Sequence, residues 1–125
     1  MAKKIIIVED EEILAGLLYK KLTGLGYEVF VAVDGEQGLQ AIREIKPNLV
    51  LLDIVMPKMG GFDVLRAVRG DEAIKNTKIM IISNSGQPVE IEKAKELEVQ
   101  DWLVKTEFDP QEVLDKTVKL IGQAD

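Results

Sequence analysis

The chain reads LVLLDIVMP from Leu49 to Pro57. A short, unbroken apolar run that ends at a turn signal is typical of a strand buried on both faces of a sheet. Asp53 interrupts this run, and burying a carboxylate is costly unless it is paired, hydrogen-bonded or placed at the open end of the strand. Asp53 is therefore the residue that the rest of the sequence has to explain.

Four further apolar runs alternate with amphipathic segments. We predict strands at residues 5–8, 29–33, 78–82 and 102–104, each followed by apolar residues at helical spacing. This alternation predicts an α/β fold in a single domain, residues 1–125, with a parallel sheet covered by helices on both faces. Five such units fit the flavodoxin-like, doubly wound strand order 2-1-3-4-5, with five helices.

Composition excludes several classes of site. The 125 residues include no cysteine and no histidine, which excludes disulfides, thiol chemistry and catalysis by an internal histidine. The formal net charge of -6 and the lack of a basic stripe argue against direct nucleic-acid binding. No apolar segment is long enough to span a membrane, so we expect a cytoplasmic protein without a membrane partner.

Polar residues follow four of the predicted strands. Glu9 and Asp10 come after the first strand, Asp53 ends the third, and Ser83 and Lys105 follow the fourth and fifth. Ligand sites in doubly wound sheets lie at the carboxyl ends of the strands, beside the point where the strand order reverses. That point falls between the first and third strands, so we expect three carboxylates to converge there.

Such a cluster favours Mg²⁺ and phosphoryl transfer. Three neighbouring acids repel one another unless a cation lies between them, and Mg²⁺ prefers oxygen ligands. In this interpretation Glu9 and Asp10 hold the metal and Asp53 is the nucleophile that becomes an aspartyl phosphate. Lys105 then supplies a positive charge to the phosphoryl group, and Ser83 donates a hydrogen bond to it.

The same residues resemble a known family along essentially the whole chain. The chain is similar to the receiver (phosphoacceptor) domain of two-component response regulators, in its chemotaxis-type single-domain form. The match consists of the pair Glu9-Asp10, the run from Asp53 to Pro57 leading to Gly61, Ser83, and Lys105.

The resemblance implies phosphorelay signal transduction by a phosphoprotein. A histidine kinase or a phosphorelay histidine protein passes a phosphoryl group to Asp53, with Mg²⁺ held also by Asp53 and the backbone carbonyl of Val55. Ser83 then moves toward the phosphoryl group and Trp102 turns inward. The signal leaves through the fourth helix, fifth strand and fifth helix to a downstream protein. The resemblance implies that the protein is not an enzyme, apart from catalysing the phosphorylation and dephosphorylation of its own Asp53.

Three residues depart from the family pattern. Asn84 stands where a small residue usually follows the switch hydroxyl, and Trp102 replaces the usual tyrosine or phenylalanine. Thr106 replaces a proline that often follows a cis peptide bond. Because a cis bond before a residue other than proline costs about 2.5–4 kcal/mol, we expect a trans bond between Lys105 and Thr106.

Other interpretations of the same residues remain open. Glu11 and Glu12 are interpreted as acids that favour the positive end of the following helix. A flavin- or nucleotide-binding flavodoxin-like module needs a phosphate-binding loop where the acids 9–12 lie. A phosphohydrolase with an aspartyl nucleophile commonly has a second aspartate two residues after the first. In this chain that position, two residues after Asp53, is Val55. A degenerate receiver that serves only as a docking module is compatible with Asn84 and Thr106.

Overall fold

Strands and helices alternate through the part of the chain that the computed structural model describes, residues 2–124. In chain order they are β1 (Lys4–Val8), α1 (Glu12–Gly24), β2 (Glu28–Ala32), α2 (Gly35–Ile45), β3 (Leu49–Asp53), α3 (Gly61–Arg69), β4 (Lys78–Ser83), α4 (Pro88–Glu96), β5 (Asp101–Val104) and α5 (Pro110–Ile121). The strands form one parallel sheet in the order β2-β1-β3-β4-β5. The predicted fold class and strand order are confirmed.

The sheet divides the core into two layers because side chains alternate along each strand. Ile5 and Ile7 of β1 face a layer that includes residues of α1 and α5, such as Leu18 and Val113. Ile6 and Val8 face the opposite layer, which includes residues of α2 and α3. All five residues of β3 are buried, as expected for a central strand of a sheet covered on both faces.

Strand and helix ends differ from the predictions by small amounts. The β2 strand ends at Ala32 rather than at residue 33. The Ala32 carbonyl still accepts from the backbone N–H of Glu9, but the N–H of Val33 is directed to the Gln37 side chain of α2 instead of to the sheet. Asp109 caps α5, since its side chain accepts a hydrogen bond from Gln111 N at 2.8 Å. None of the helices within residues 2–124 is long and apolar enough to cross a membrane.

Arg69 fastens the carboxyl end of α4 to the rest of the domain. Its guanidinium donates to the carbonyls of Leu97 at 2.8 Å and Glu98 at 3.1 Å, which follow α4. It also donates to the carbonyls of Lys75 and Thr77 in the segment before β4, at 2.9 and 2.7 Å. Carbonyls at a helix end often lack backbone partners, so one side chain stabilises both segments.

Gly61 allows the loop after β3 to turn back across the end of that strand. A Cβ atom at this position would lie 2.3 Å from the Asp53 carbonyl oxygen, a backbone atom that cannot move aside. Gly16, on the exposed side of α1, has no atom within 4 Å of such a Cβ. The two glycines therefore differ in what a methyl group would meet.

We expect opposite effects on stability from Gly16→Ala and Gly61→Ala. Alanine at position 16 should stabilise the fold by about 0.5–1 kcal/mol, because glycine loses more backbone entropy in a helix. Alanine at position 61 should destabilise it by about 1–3 kcal/mol through overpacking against β3. Urea unfolding of both variants and the parent measures the difference, and equal midpoints for the two variants would contradict the close approach at Gly61.

Candidate functional site

Three carboxylates meet at the carboxyl edge of the sheet. Glu9 and Asp10 directly follow β1, and Asp53 is the last residue of β3. Because β1 pairs with β3 with Val8 opposite Leu52, Glu9 lies level with Asp53. One oxygen from each of the three residues lies within 4.8 Å of the others. The structure thus brings together the three acids that the strand order predicted, with Glu9 and Asp53 buried and Asp10 exposed.

Lys105, which directly follows the edge strand β5, reaches this cluster with its side chain. Its Nζ donates to Glu9 Oε1 at 2.6 Å and to Asp53 Oδ2 at 3.1 Å. Its side chain is only 7% exposed. Burial by itself lowers the pKa of Lys105, but hydrogen bonds to Glu11, Glu9 and Asp53 outweigh burial and raise the pKa above its usual value. Lys105 is therefore a fixed positive charge among the acids.

Glu11 also belongs to this cluster, which the sequence interpretation missed. Its backbone carbonyl accepts from Ala15 N at the start of α1, as expected for a residue that opens a helix. Its carboxylate, however, bonds to Lys105 Nζ and makes no capping hydrogen bond to α1 in the described part of the chain. The Lys105 ammonium lowers the pKa of Glu11. The helix-dipole interpretation of Glu11 was therefore incomplete.

Burial makes the charged form of Glu9 costly. Burial, followed by the neighbouring Asp53, raises the pKa of Glu9 to about 8, although Lys105 acts in the opposite direction. Its Oε2 atom is buried and has no hydrogen-bond partner among residues 2–124. A buried oxygen without a partner is costly, and a hard cation such as Mg²⁺ satisfies it. The carboxylates of Glu9, Asp10 and Asp53 therefore fit Mg²⁺ as a donor set.

Both oxygens of Asp53 are oriented by neighbouring groups. Oδ1 accepts from the backbone N–H of Ile54 at 2.7 Å, and Oδ2 accepts from Lys105. Asp53 is only 4% exposed, but it lies at the end of its strand, beside the exposed Asp10. A carboxylate held in one orientation beside an ammonium group is suited to act as a nucleophile toward a phosphoryl group.

Ser83 reaches the same edge from β4. It is the last residue of that strand and is buried, and its carbonyl accepts from the backbone N–H of Lys105 at 2.7 Å. Its Oγ accepts from Ser85 N at 3.4 Å. The hydroxyl and Lys105 are thus placed by neighbouring strand ends. Asn84, which follows Ser83, is exposed.

Val55 and Trp102 are the two remaining residues that the sequence assigned to the site. Val55 lies in the loop after Asp53, and its side chain is exposed; a metal contact from its carbonyl stays a prediction. The Trp102 indole N–H donates to the Ser85 carbonyl at 3.0 Å, and its ring centroid lies 6.4 Å from that of Phe62. The expected inward turn of Trp102 also stays a prediction. The bond between Lys105 and Thr106 is trans, as expected.

The family model for the response regulator receiver domain matches residues 5–118. The chain is 35% identical over 114 residues to the DNA-binding response regulator MtrA of Mycobacterium tuberculosis. The aligned region covers 91% of this chain and 48% of MtrA. It is 32% identical over 123 residues to the probable transcriptional regulator ycf27 of Pyropia yezoensis, covering 98% of this chain and 49% of that protein. The chain spans about half the length of these relatives.

Solved structures show the same fold. Chemotaxis protein CheY4 of Vibrio cholerae is 28% identical, with a TM-score of 0.88 over 96% of this chain and 99% of CheY4. The receiver domain of sensor histidine kinase PA1611 from Pseudomonas aeruginosa PAO1 has a TM-score of 0.86 at 23% identity, over 98% of this chain and 100% of that one. Its structure is described with a magnesium ion coordinated in the active site cleft. With the match over residues 5–118, these likenesses show that the chain belongs to the response regulator receiver domains, the signalling domains of two-component systems.

Proposed function

We propose that the chain is a signalling switch that is phosphorylated on Asp53. The donor is a histidine kinase or a phosphorelay histidine protein, as in the receiver family. The phosphohistidine lies outside these 125 residues, which contain no histidine. The observation that carries the proposal is the Asp53 carboxylate, which Ile54 N and Lys105 orient within a cluster of acids that fits a divalent cation. We propose residues 1–125 as a single receiver domain.

The chain's own residues supply most of what the transfer needs. An Asp53 oxygen attacks the phosphorus atom, the P–N bond of the phosphohistidine breaks, and the released imidazole takes up a proton. Glu9, Asp10, Asp53 and the Val55 carbonyl are the groups proposed to hold Mg²⁺, which when bound neutralises phosphoryl oxygens. The magnesium ion described in the PA1611 receiver domain supports this assignment.

The remaining site residues respond to the new charge. Lys105 is proposed to keep a contact with the phosphoryl group, and Ser83 to donate its hydroxyl to it. Because Trp102 bonds to the carbonyl of Ser85, two residues beyond Ser83, a shift of this loop is proposed to release and turn the indole. The altered face is α4, β5 and α5.

The partners are proposed to be proteins. MtrA is named as a DNA-binding regulator, yet the chain matches only about half of it. We propose that this domain contacts a kinase or phosphorelay protein and a downstream protein, with neither nucleic acid nor a membrane bound directly, since its net charge is -6. It then has no substrate besides its own Asp53, and we propose that it acts in the cytoplasm.

Incubation with acetyl phosphate and Mg²⁺ should add one phosphoryl group to the protein, detected by intact mass. In Asp53→Asn the adduct should be absent, because the amide cannot form the acyl phosphate. The matched control is Asp63→Asn, which changes an exposed aspartate of α3 and should leave the adduct unchanged. No adduct on the parent protein would favour the docking module, and an adduct on Asp53→Asn would exclude Asp53 as the acceptor.

Mg²⁺ should bind more tightly as the pH rises. Burial raises the pKa of Glu9 to about 8 in the metal-free protein, so below that pH a bound cation has to displace a proton. We expect the apparent affinity to increase by up to about tenfold per pH unit between about pH 6 and pH 8, and less above that range.

Isothermal titration calorimetry of metal binding at several pH values measures this change. The control is Glu9→Gln, which carries no titrating proton and should bind Mg²⁺ more weakly and with a flatter pH profile. An affinity in the parent protein that does not vary with pH would show that Glu9 is already ionised or takes no part in binding.

A further inference from the structure

The Lys105 ammonium group has no hydrogen-bond donor to spare. A lysine ammonium carries three N–H donors. Within residues 2–124 they are directed at Glu9 Oε1, Asp53 Oδ2 and a carboxylate oxygen of Glu11. A phosphoryl group on Asp53 can therefore contact Lys105 only if one of these bonds is given up. The burial of the three acids decides which bond is the easiest to give up.

The three acids differ sharply in exposure. The side chains of Glu9 and Asp53 are each 4% exposed, whereas that of Glu11 is 55% exposed. A buried carboxylate that loses its cation is left with its desolvation uncompensated, but an exposed one is rehydrated. As long as Asp53 is still a free carboxylate, release of Glu11 is therefore the least costly way to free a donor of Lys105 for an incoming phosphoryl group.

The position of Glu11 in the chain also supports a specific role. It opens α1, where a carboxylate commonly accepts hydrogen bonds from the first backbone N–H groups of the helix. Glu11 makes no such bond in the described structure and instead reaches Lys105, which lies 94 residues further along the chain. The preceding strand end and the helix start therefore place this side chain over the ammonium group from the solvent side.

We propose that Glu11 is an anionic cap on Lys105 that competes with the incoming phosphoryl group. This inference rests on the proposed phosphorylation of Asp53 and concerns its control. Glu11 is a positioning residue, since it acts through Lys105. As an Asp53 oxygen bonds to phosphorus and the P–O bond of acetyl phosphate breaks to release acetate, a phosphoryl oxygen replaces the Glu11 carboxylate on Nζ.

The test compares Glu11→Gln with Glu12→Gln. Both variants remove one negative charge from neighbouring exposed residues, but Lys105 pairs with Glu11 and, in the described chain, not with Glu12. We expect Glu11→Gln to react with acetyl phosphate at saturating Mg²⁺ about two- to fivefold faster than Glu12→Gln, the range of an exposed ion pair. The gain should lie in the apparent donor affinity, with the limiting rate little changed.

A second readout avoids the chemical step. Beryllium fluoride is a phosphoryl mimic that is not transferred, and ¹⁹F NMR follows its binding at saturating Mg²⁺. Glu11→Gln should bind it more tightly than Glu12→Gln by a similar factor. Equal rates and equal beryllium fluoride affinities in the two variants would overturn the cap, as would slower reaction of Glu11→Gln.

Mg²⁺ binding without a phosphoryl donor separates the cap from a metal ligand. The two variants should bind Mg²⁺ equally well, and weaker binding by Glu11→Gln alone would make Glu11 a ligand and overturn the cap. If the parent protein forms no adduct on Asp53, the proposed function fails and the cap fails with it. If the parent reacts but the two variants behave alike, only the cap fails.

Discussion

The site depends on one buried ammonium group. Glu9 and Asp53 are both withdrawn from water at the end of the sheet, where two carboxylates by themselves repel each other and lose hydration. Lys105 Nζ bonds to both, at 2.6 and 3.1 Å, and so offsets part of that cost. The remainder is visible in Glu9, whose pKa burial raises to about 8 and whose Oε2 has no partner among residues 2–124. The metal-free site is therefore short of positive charge, which favours a divalent cation.

The ends of the sheet and the start of α4 are physically connected. Lys105 N bonds to the Ser83 carbonyl, and the loop after Ser83 leads into α4. In that loop the Ser85 carbonyl accepts from the Trp102 indole, and Ser85 Oγ bonds to Glu90 of α4 at 3.2 Å. The opposite end of α4 is fastened by Arg69 through the carbonyls of Leu97 and Glu98. The loop after Ser83 and β5 are therefore linked by hydrogen bonds to the start of α4, whereas the end of α4 is held separately by Arg69.

Much of this molecule follows from local patterns in the chain. Apolar runs of strand length and amphipathic segments alternate strictly, and parallel pairing with right-handed connections leaves few ways to arrange them. Strand order then places Glu9, Asp10 and Asp53 at one edge, because polar residues directly after buried strands share that edge. The strand limits shifted by only one residue, as at the end of β2, where the Val33 N–H is directed to the Gln37 side chain rather than to the sheet.

Glu11 shows where local patterns stop being sufficient. An acid at the start of a helix has a complete local explanation, and nothing within several residues indicates that its carboxylate leaves the helix for Lys105. That choice depends on an ammonium group 94 residues away and on the burial that makes this group compete strongly for anions. The same holds for the Trp102 bond to Ser85 and the four carbonyls on Arg69. Apolar periodicity and strand-end residues therefore specify the fold and the acids of the site. Side-chain pairing across the sheet edge is decided only by tertiary packing, because hydrogen bonds and charges act through space between residues distant in the chain.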